Sequence, residues 1–110
     1  MKKISIDKIL ISKDIKILDT LQKLQNNSVR CLIIIDKNKK LLGTINDGDI
    51  RRALIKGVKI NEKIINVYFK KPFFLYKNKK KLINKSLISH INVVPIVDKN
   101  KKVIDYLNTT

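Results

Sequence analysis

The sequence predicts a mixed α/β (α+β) fold in which two copies of one strand-helix-strand-strand unit pack on each other, and three observations lead there. Shifted by 62 places, from 36 to 98, Asp36-Lys37-Asn38-Lys39-Lys40 lands on Asp98-Lys99-Asn100-Lys101-Lys102 with every residue identical. The same shift carries Cys31, Ile35, Leu42 and Ile45 onto Val93, Val97, Ile104 and Leu107, apolar onto apolar, and Asn46 onto Asn108. Lastly, the 110 residues, 44% hydrophobic and 31% charged, suffice for one modest core. A single copy is too small to bury its own apolar face, so the two belong to one module. The expected boundaries are repeat 1 at about 9–57, a linker at 58–71, and repeat 2 at about 72–110, ending before its last helix.

Taken in order, Ile9, Leu10 and Ile11 form a short apolar start. Ser12 or Asp14 can cap a helix that buries Ile17, Leu18, Leu21 and Leu24, spaced by three and four, and Asn26, Asn27 and Ser28 end it. The run Cys31–Ile35 is apolar on both faces, as a strand inside a covered sheet should be. A polar turn at 36–40 joins it to a second strand at 41–45. Helical spacing resumes at Ile50, Ala53 and Leu54, with the start near Gly48, and Gly57 supplies a C-terminal glycine. The linker carries a short helical piece around residues 62–67 and closes at Pro72. Residues 73–76 then read as a strand, Leu82, Ile83, Leu87 and Ile88 as a helix, and Val93–Val97 and 103–107 as the last two strands.

The copies are unequal. Gly43 is matched by Asp105 and Thr44 by Tyr106, and residue 110 falls one place short of the equivalent of Asp49. The second copy therefore has no junction acid, no arginine pair and no closing helix. The chain reads as the front piece of a longer protein.

Composition excludes several classes. No apolar run approaches the roughly 18 residues of a membrane span. Behind Lys2 and Lys3, the acids Asp7 and Asp14 interrupt any signal-peptide core. A single cysteine, Cys31, allows no internal disulfide, and cytoplasm is the expected compartment. The formal charge of +16 invites nucleic-acid binding. Almost all of it is lysine, with Arg30, Arg51 and Arg52 the arginines, and Ile and Asn are abundant alongside. That combination is what AT-rich coding imposes on a solvated surface. The lysine clusters 37–40 and 99–102 are expected on separate turns, and no nucleic-acid partner is expected.

The densest chemistry lies at the junction Gly43-Thr44-Ile45-Asn46-Asp47-Gly48-Asp49, continued by Ile50-Arg51-Arg52-Ala53-Leu54. It resembles the signature of the cystathionine-β-synthase (CBS) domain, in which Gly is followed three residues on by Ser or Thr and six on by Asp. Asn46 stands at the Ser/Thr place and Asp49 at the Asp place. Asp-Gly-Asp-Ile-Arg-Arg-Ala-Leu recurs in two groups of CBS pairs. One group precedes bacterial sugar-phosphate nucleotidyltransferases; the other follows the sugar-binding domain of arabinose-5-phosphate isomerases. Gly57 and Val58, Val67 with Tyr68, and Pro72 extend the resemblance, which spans about residues 9 to 108. An early start of the repeat, Pro95-Ile96-Val97-Asp98 and Val103-Ile104-Asp105 favour the transferase group.

The resemblance implies a regulatory module that binds an adenine nucleotide (AMP, ADP or ATP), associates as a homodimer through helical faces, and serves a catalytic domain in the same parent chain. It makes Asp49 the acceptor of ribose hydroxyls, with Asn46 and Thr44 as polar support. Arg51 and Arg52 are phosphate candidates, beside free amides at a helix start. A second reading of the same residues is local: Asn46 and Asp49 form a capping box, and Asp47 a cap. A third makes the module a dimerisation scaffold without ligand.

No catalysis is expected. His90 aligns with Ser28 at a helix end, and Cys31 aligns with Val93 in the core. The sequence offers no metal-ligand cluster, no Gly-rich phosphate loop and no nucleophile with a base in reach.

Overall fold

Four of the five side chains of Cys31–Ile35 are buried, and a strand with no polar face belongs in the middle of a covered sheet. A computed structural model, describing residues 3–82 and 91–108 without the side chains of residues 80–82, places it there. This strand, β2, lies between β1 (Leu10–Ile11) and β3 (Leu41–Asn46). The β1 pairing is parallel, with Leu10 opposite Ile33, and α1 (Ile17–Asn26) makes the crossover that parallel strands require. The β3 pairing is antiparallel, and α2 (Asp47–Ile55) follows β3 with no intervening loop.

The second sheet repeats this order with β4 (Leu75–Tyr76), β5 (Val93–Val97) and β6 (Val103–Asn108). The 62-residue shift carries β2 onto β5 and β3 onto β6, end for end. Even the ladder irregularity is repeated, between Ile34 and Ile35 and between Ile96 and Val97. The mixed α+β architecture of two related units is therefore as expected. The first strand of the second unit is shorter than residues 73–76, and of its expected helix only Leu82 is described, at the end of the 3₁₀ helix Lys77–Leu82. The remaining helix positions, and His90, lie outside the described residues.

Pro95 explains why β4 pairs differently from β1. Its counterpart Ile33 donates its amide to Ile9 of the first-strand side at 2.9 Å, and proline has no amide to donate. Pairing in the second sheet begins one place later, with Leu75 opposite Ile96. The missing donor is on the β4 side, so proline is tolerated in a central strand without breaking the β6 ladder.

The linker carries more of the fold than its composition suggests. Neither Ser12 nor Asp14 caps α1: Ser12 Oγ accepts from the Asp14 amide in a local turn, and Lys16 occupies the cap position without a side-chain bond. The first amides of the helix, Ile17 and Leu18, instead donate to the carbonyls of Glu62 and Ile60 at 2.9 and 3.0 Å. These amides need partners, and the linker supplies them across the chain. Leu18, expected in the core, is 42% exposed, whereas Thr20 is fully buried and donates its hydroxyl to the Lys16 carbonyl.

Further on, the linker pairs with β3: Thr44 N donates to Phe69 O at 3.1 Å and Phe69 N to Thr44 O at 2.8 Å. At β6 the N-terminal segment plays the matching part. Lys3 pairs with Asp105 at 2.7 Å and lies over the Tyr106 ring, and the buried Tyr106 hydroxyl donates to the Ile4 carbonyl. Where the first unit has Gly43 and Thr44 to admit the linker, the second has Asp105 and Tyr106 to fasten the amino end.

The buried residues form one cluster running through both units, from Ile9, Ile17, Leu32, Ile33 and Ile45 to Val93, Val97 and Tyr106. Among the described residues no helix is long and apolar enough to cross a membrane.

Candidate functional site

Asn46 is the last residue of β3 and the cap of α2, with extended backbone (φ −122°, ψ 174°). Its side-chain oxygen accepts from the Asp49 amide at 2.7 Å, and Asp49 Oδ2 accepts from the Asn46 amide at 3.0 Å. Both bonds of a capping box are present, so the local reading of Asn46 and Asp49 holds, whereas Asp47, expected as a cap, is the first residue of α2 and its carboxylate meets Arg51 instead. Asp49 Oδ1 also pairs with Arg52 at 2.8 Å, and Arg51 pairs with Asp47 at 3.4 Å in a more exposed contact. The Asp49 side chain is 17% exposed.

Beside this junction lies a cleft of about 340 Å³ between the two units. One wall is Cys31, Thr44 and Asn46; the linker contributes Phe69, Lys71, Pro72 and Phe73; Ile91, Asn92 and Val93 close the far side. The size falls within the roughly 300–1,000 Å³ of small-molecule sites. Of the residues expected from the sequence, Thr44 and Asn46 line this cleft. Asp49 sits one helical turn behind Asn46, and Arg51 and Arg52 are engaged with the acids of their own helix.

The aromatic and cationic parts of the wall, Phe69, Phe73 and Lys71, were not anticipated. One signal pointed to them: Tyr68, Phe69, Phe73, Phe74 and Tyr76 are five of the six aromatic residues in the chain. Phe69 and Phe73 are about half exposed. Cys31 is no nucleophile. Burial pushes its thiol up to about 12, with the Asp49 charge adding to the rise. Among the described residues no group of His, Cys, Asp and Glu is arranged to hold a metal ion.

The glycine that opens the signature has a steric role. A Cβ on Gly43 would stand 2.2 Å from the Phe69 carbonyl oxygen and 2.6 Å from the Tyr68 ring. Only a residue without a side chain lets the linker lie this close to β3, and that close passage builds the aromatic wall of the cleft.

The sheet pair, the bare Gly43 and the capped strand-to-helix junction define a class. Residues 2–56, half of the chain, match the CBS domain family, and the chain belongs to that family. It is 28% identical over 103 residues to an uncharacterized protein of Helicobacter pylori (strain J99), a match that covers 90% of this chain and 31% of that protein. The chain thus spans about a third of the length of that relative. Among solved structures it is similar to protein MJ1225 from Methanocaldococcus jannaschii, with 22% identity, TM-score 0.77, and coverage of 97% of this chain and 44% of the other. It is also similar to the CBS domain pair of protein MJ0100 in complex with 5′-methylthioadenosine and S-adenosyl-L-methionine, with 23% identity, TM-score 0.71, and coverage of 92% and 81%. These likenesses show the fold of a CBS pair.

Proposed function

We propose that residues 1–110 act as one regulatory, non-catalytic module that binds an adenine nucleotide in the cleft between its two units. The observation that carries this reading is the composition of the cleft, which joins Thr44 and Asn46 of the family signature to two exposed aromatic rings and one lysine. Adenosine-bearing ligands in the MJ0100 pair support the choice of base. Phe69 and Phe73 offer faces on which a base stacks, worth about 1–3 kcal/mol. Thr44 and Asn46 bond the ribose or its neighbours, and Lys71 neutralises phosphate. Asp49 accepts ribose hydroxyls once the exposed Arg52 exchanges its partner, and Arg52 is then free for phosphate. Arg51 is the more distant phosphate candidate.

The module serves a catalytic domain of the same parent protein, a cytoplasmic sugar-phosphate nucleotidyltransferase. With 31% of the Helicobacter pylori relative matched, more than two thirds of that protein lies outside the match, which is room for such a domain.

Calorimetric titration with AMP, ADP, ATP and GMP tests the binding. The adenine nucleotides are expected to bind more tightly than GMP. Asp49→Asn keeps an oxygen for the capping bond but weakens acceptance from two hydroxyls, and is expected to lower affinity roughly 10- to 150-fold, about 1.5–3 kcal/mol. Phe73→Ala is expected to cost about tenfold. A folded wild type that binds no adenine nucleotide, or affinity unchanged in both variants, would overturn the reading.

One observation favours an added role in dimerisation. Leu18 on α1 and Leu54 and Ile55 on α2 are exposed, Ile55 by 78%. If these helices meet a second copy, sedimentation shows mass rising with concentration, and Ile55→Lys abolishes the rise. A wild type that stays monomeric at tens of micromolar removes this role.

A further inference from the structure

The two lysine-rich turns are separate hairpins, as expected, and in the fold they meet. Lys40 and Lys102 face each other in an antiparallel bridge. Around it, Leu41 N donates to Lys101 O at 3.0 Å and Val103 N to Lys39 O at 2.9 Å. The pairing gathers Lys37, Lys39, Lys40, Lys99, Lys101 and Lys102, all exposed, at one end of the molecule. The only acids within the two pentapeptides are spent on the turns themselves. Asp36 Oδ1 accepts from the amides of Asn38 and Lys40 at 2.8 and 2.9 Å, and Asp98 Oδ1 from those of Asn100 and Lys102 at 2.8 and 3.0 Å.

Residues opposite each other in an antiparallel pair put their side chains on one face, and like charges placed there are destabilising. The fold accepts that repulsion at its own symmetry axis. Between the turns lies an open pocket of about 360 Å³ walled by Asn38 and Lys40 of one unit and Asn100 and Lys102 of the other. Each unit therefore contributes one lysine and one asparagine to the same lining. Lysine suits phosphate as a compact point charge. The turns lie at the opposite end of β2 and β3 from Cys31 and Asn46, so this pocket is separate from the nucleotide cleft.

We infer that the paired turns form a receptor for a compact polyanion carrying two or more phosphate groups, bound across the axis with Lys40 and Lys102 as its principal contacts. A small polyanion spans the open pocket between the turns.

Tripolyphosphate is the probe, with orthophosphate as its control at matched ionic strength, both titrated calorimetrically into this chain. One tripolyphosphate per chain is expected, at least tenfold tighter than orthophosphate, together with a rise in melting temperature. Lys40→Gln with Lys102→Gln is expected to weaken it at least tenfold and to leave AMP binding unchanged. Should that variant not fold, Lys37→Gln with Lys99→Gln removes two charges without touching the bridge and is expected to weaken binding severalfold. Four outcomes overturn the inference: affinity unchanged in the lysine variants, orthophosphate binding as tightly, displacement of tripolyphosphate by AMP, or a DNA duplex binding more tightly with affinity falling steeply as salt rises.

Discussion

Gly43 and Gly57 are held by opposite constraints. At Gly43 the backbone is ordinary and the space is filled, by the Phe69 carbonyl and the Tyr68 ring. At Gly57 the space is empty and the backbone is left-handed, with φ 103°, closing α2 by bonds from Gly57 N to Leu54 O and from Val58 N to Ala53 O. Gly43→Ala is expected to lower stability by about 1–3 kcal/mol, because the linker must move. Gly57→Ala is expected to cost about 1 kcal/mol, from backbone strain alone. Urea midpoints measure both, and a Gly43→Ala midpoint equal to that of the wild type would contradict the steric account of Gly43. The role of Gly57 was legible because a helix end is local. Gly43 was legible as part of a motif, but its cause is a linker some 25 residues on, from 43 to 68–69, which no local pattern reveals. Asp49 shows the same divide: its capping bonds span three residues and could be read, whereas the cleft walls Phe69 and Phe73 depend on the linker's path. Cys31 adds a pH signature. Its folded pKa is raised from 9.0 to about 12, so its contribution is fully present below about 9 and is lost as pH rises toward 12. Cys31→Val, which copies Val93, is expected to flatten the alkaline loss of stability in that window, by a few kcal/mol at most.

At the scale of elements, the identical pentapeptides predict identical turns, and the turns are identical down to a left-handed lysine, Lys39 and Lys101, each at φ 64°. Lysine has no preference for that conformation, so the strain could not be read from the sequence. Nor could the pairing of the turns, which depends on how the two sheets pack. Lys39→Gly and Lys101→Gly are each expected to stabilise the protein by about 0.5–1 kcal/mol. The carbonyls of these residues bond the opposite unit, so a double-mutant cycle is expected to show coupling rather than simple addition. The turn acids give a second test. The amides of Lys40 and Lys102 hold the Asp36 and Asp98 carboxyls below their ordinary values, with those of Asn38 and Asn100 and the nearby lysines assisting. A lowered folded pKa means stability present above the unfolded value near 4 and lost as pH falls through the folded one. Asp36→Asn is therefore expected to destabilise at neutral pH, with the difference from wild type closing below about pH 4.

At the scale of the molecule, the two units share one core, and this determines how the chain unfolds. Ile33 and Ile34 of β2 and Val93 and Val97 of β5 belong to one buried cluster, and the linker caps α1 while it seals β3. The amino end is fastened to β6 by Lys3, Ile4 and Tyr106, so the first residues of the chain stabilise the last strand. A three-stranded sheet with one helix face cannot bury its apolar side alone, and a unit of about 50 residues hides too little surface to offset its chain entropy. The repeat made this division of labour legible from the sequence, since neither half carries a complete core. Unfolding in urea is accordingly expected to be one transition. Thiol exposure at Cys31 reports the first unit and hydrogen exchange in β5 the second, and their midpoints are expected to coincide. A chain cut within the linker, near residue 61, is expected to yield a first half that is unfolded by circular dichroism until the second half is added. Separate midpoints, or a folded first half on its own, would show that the units are independent and that the cleft between them is an interface rather than part of a single body.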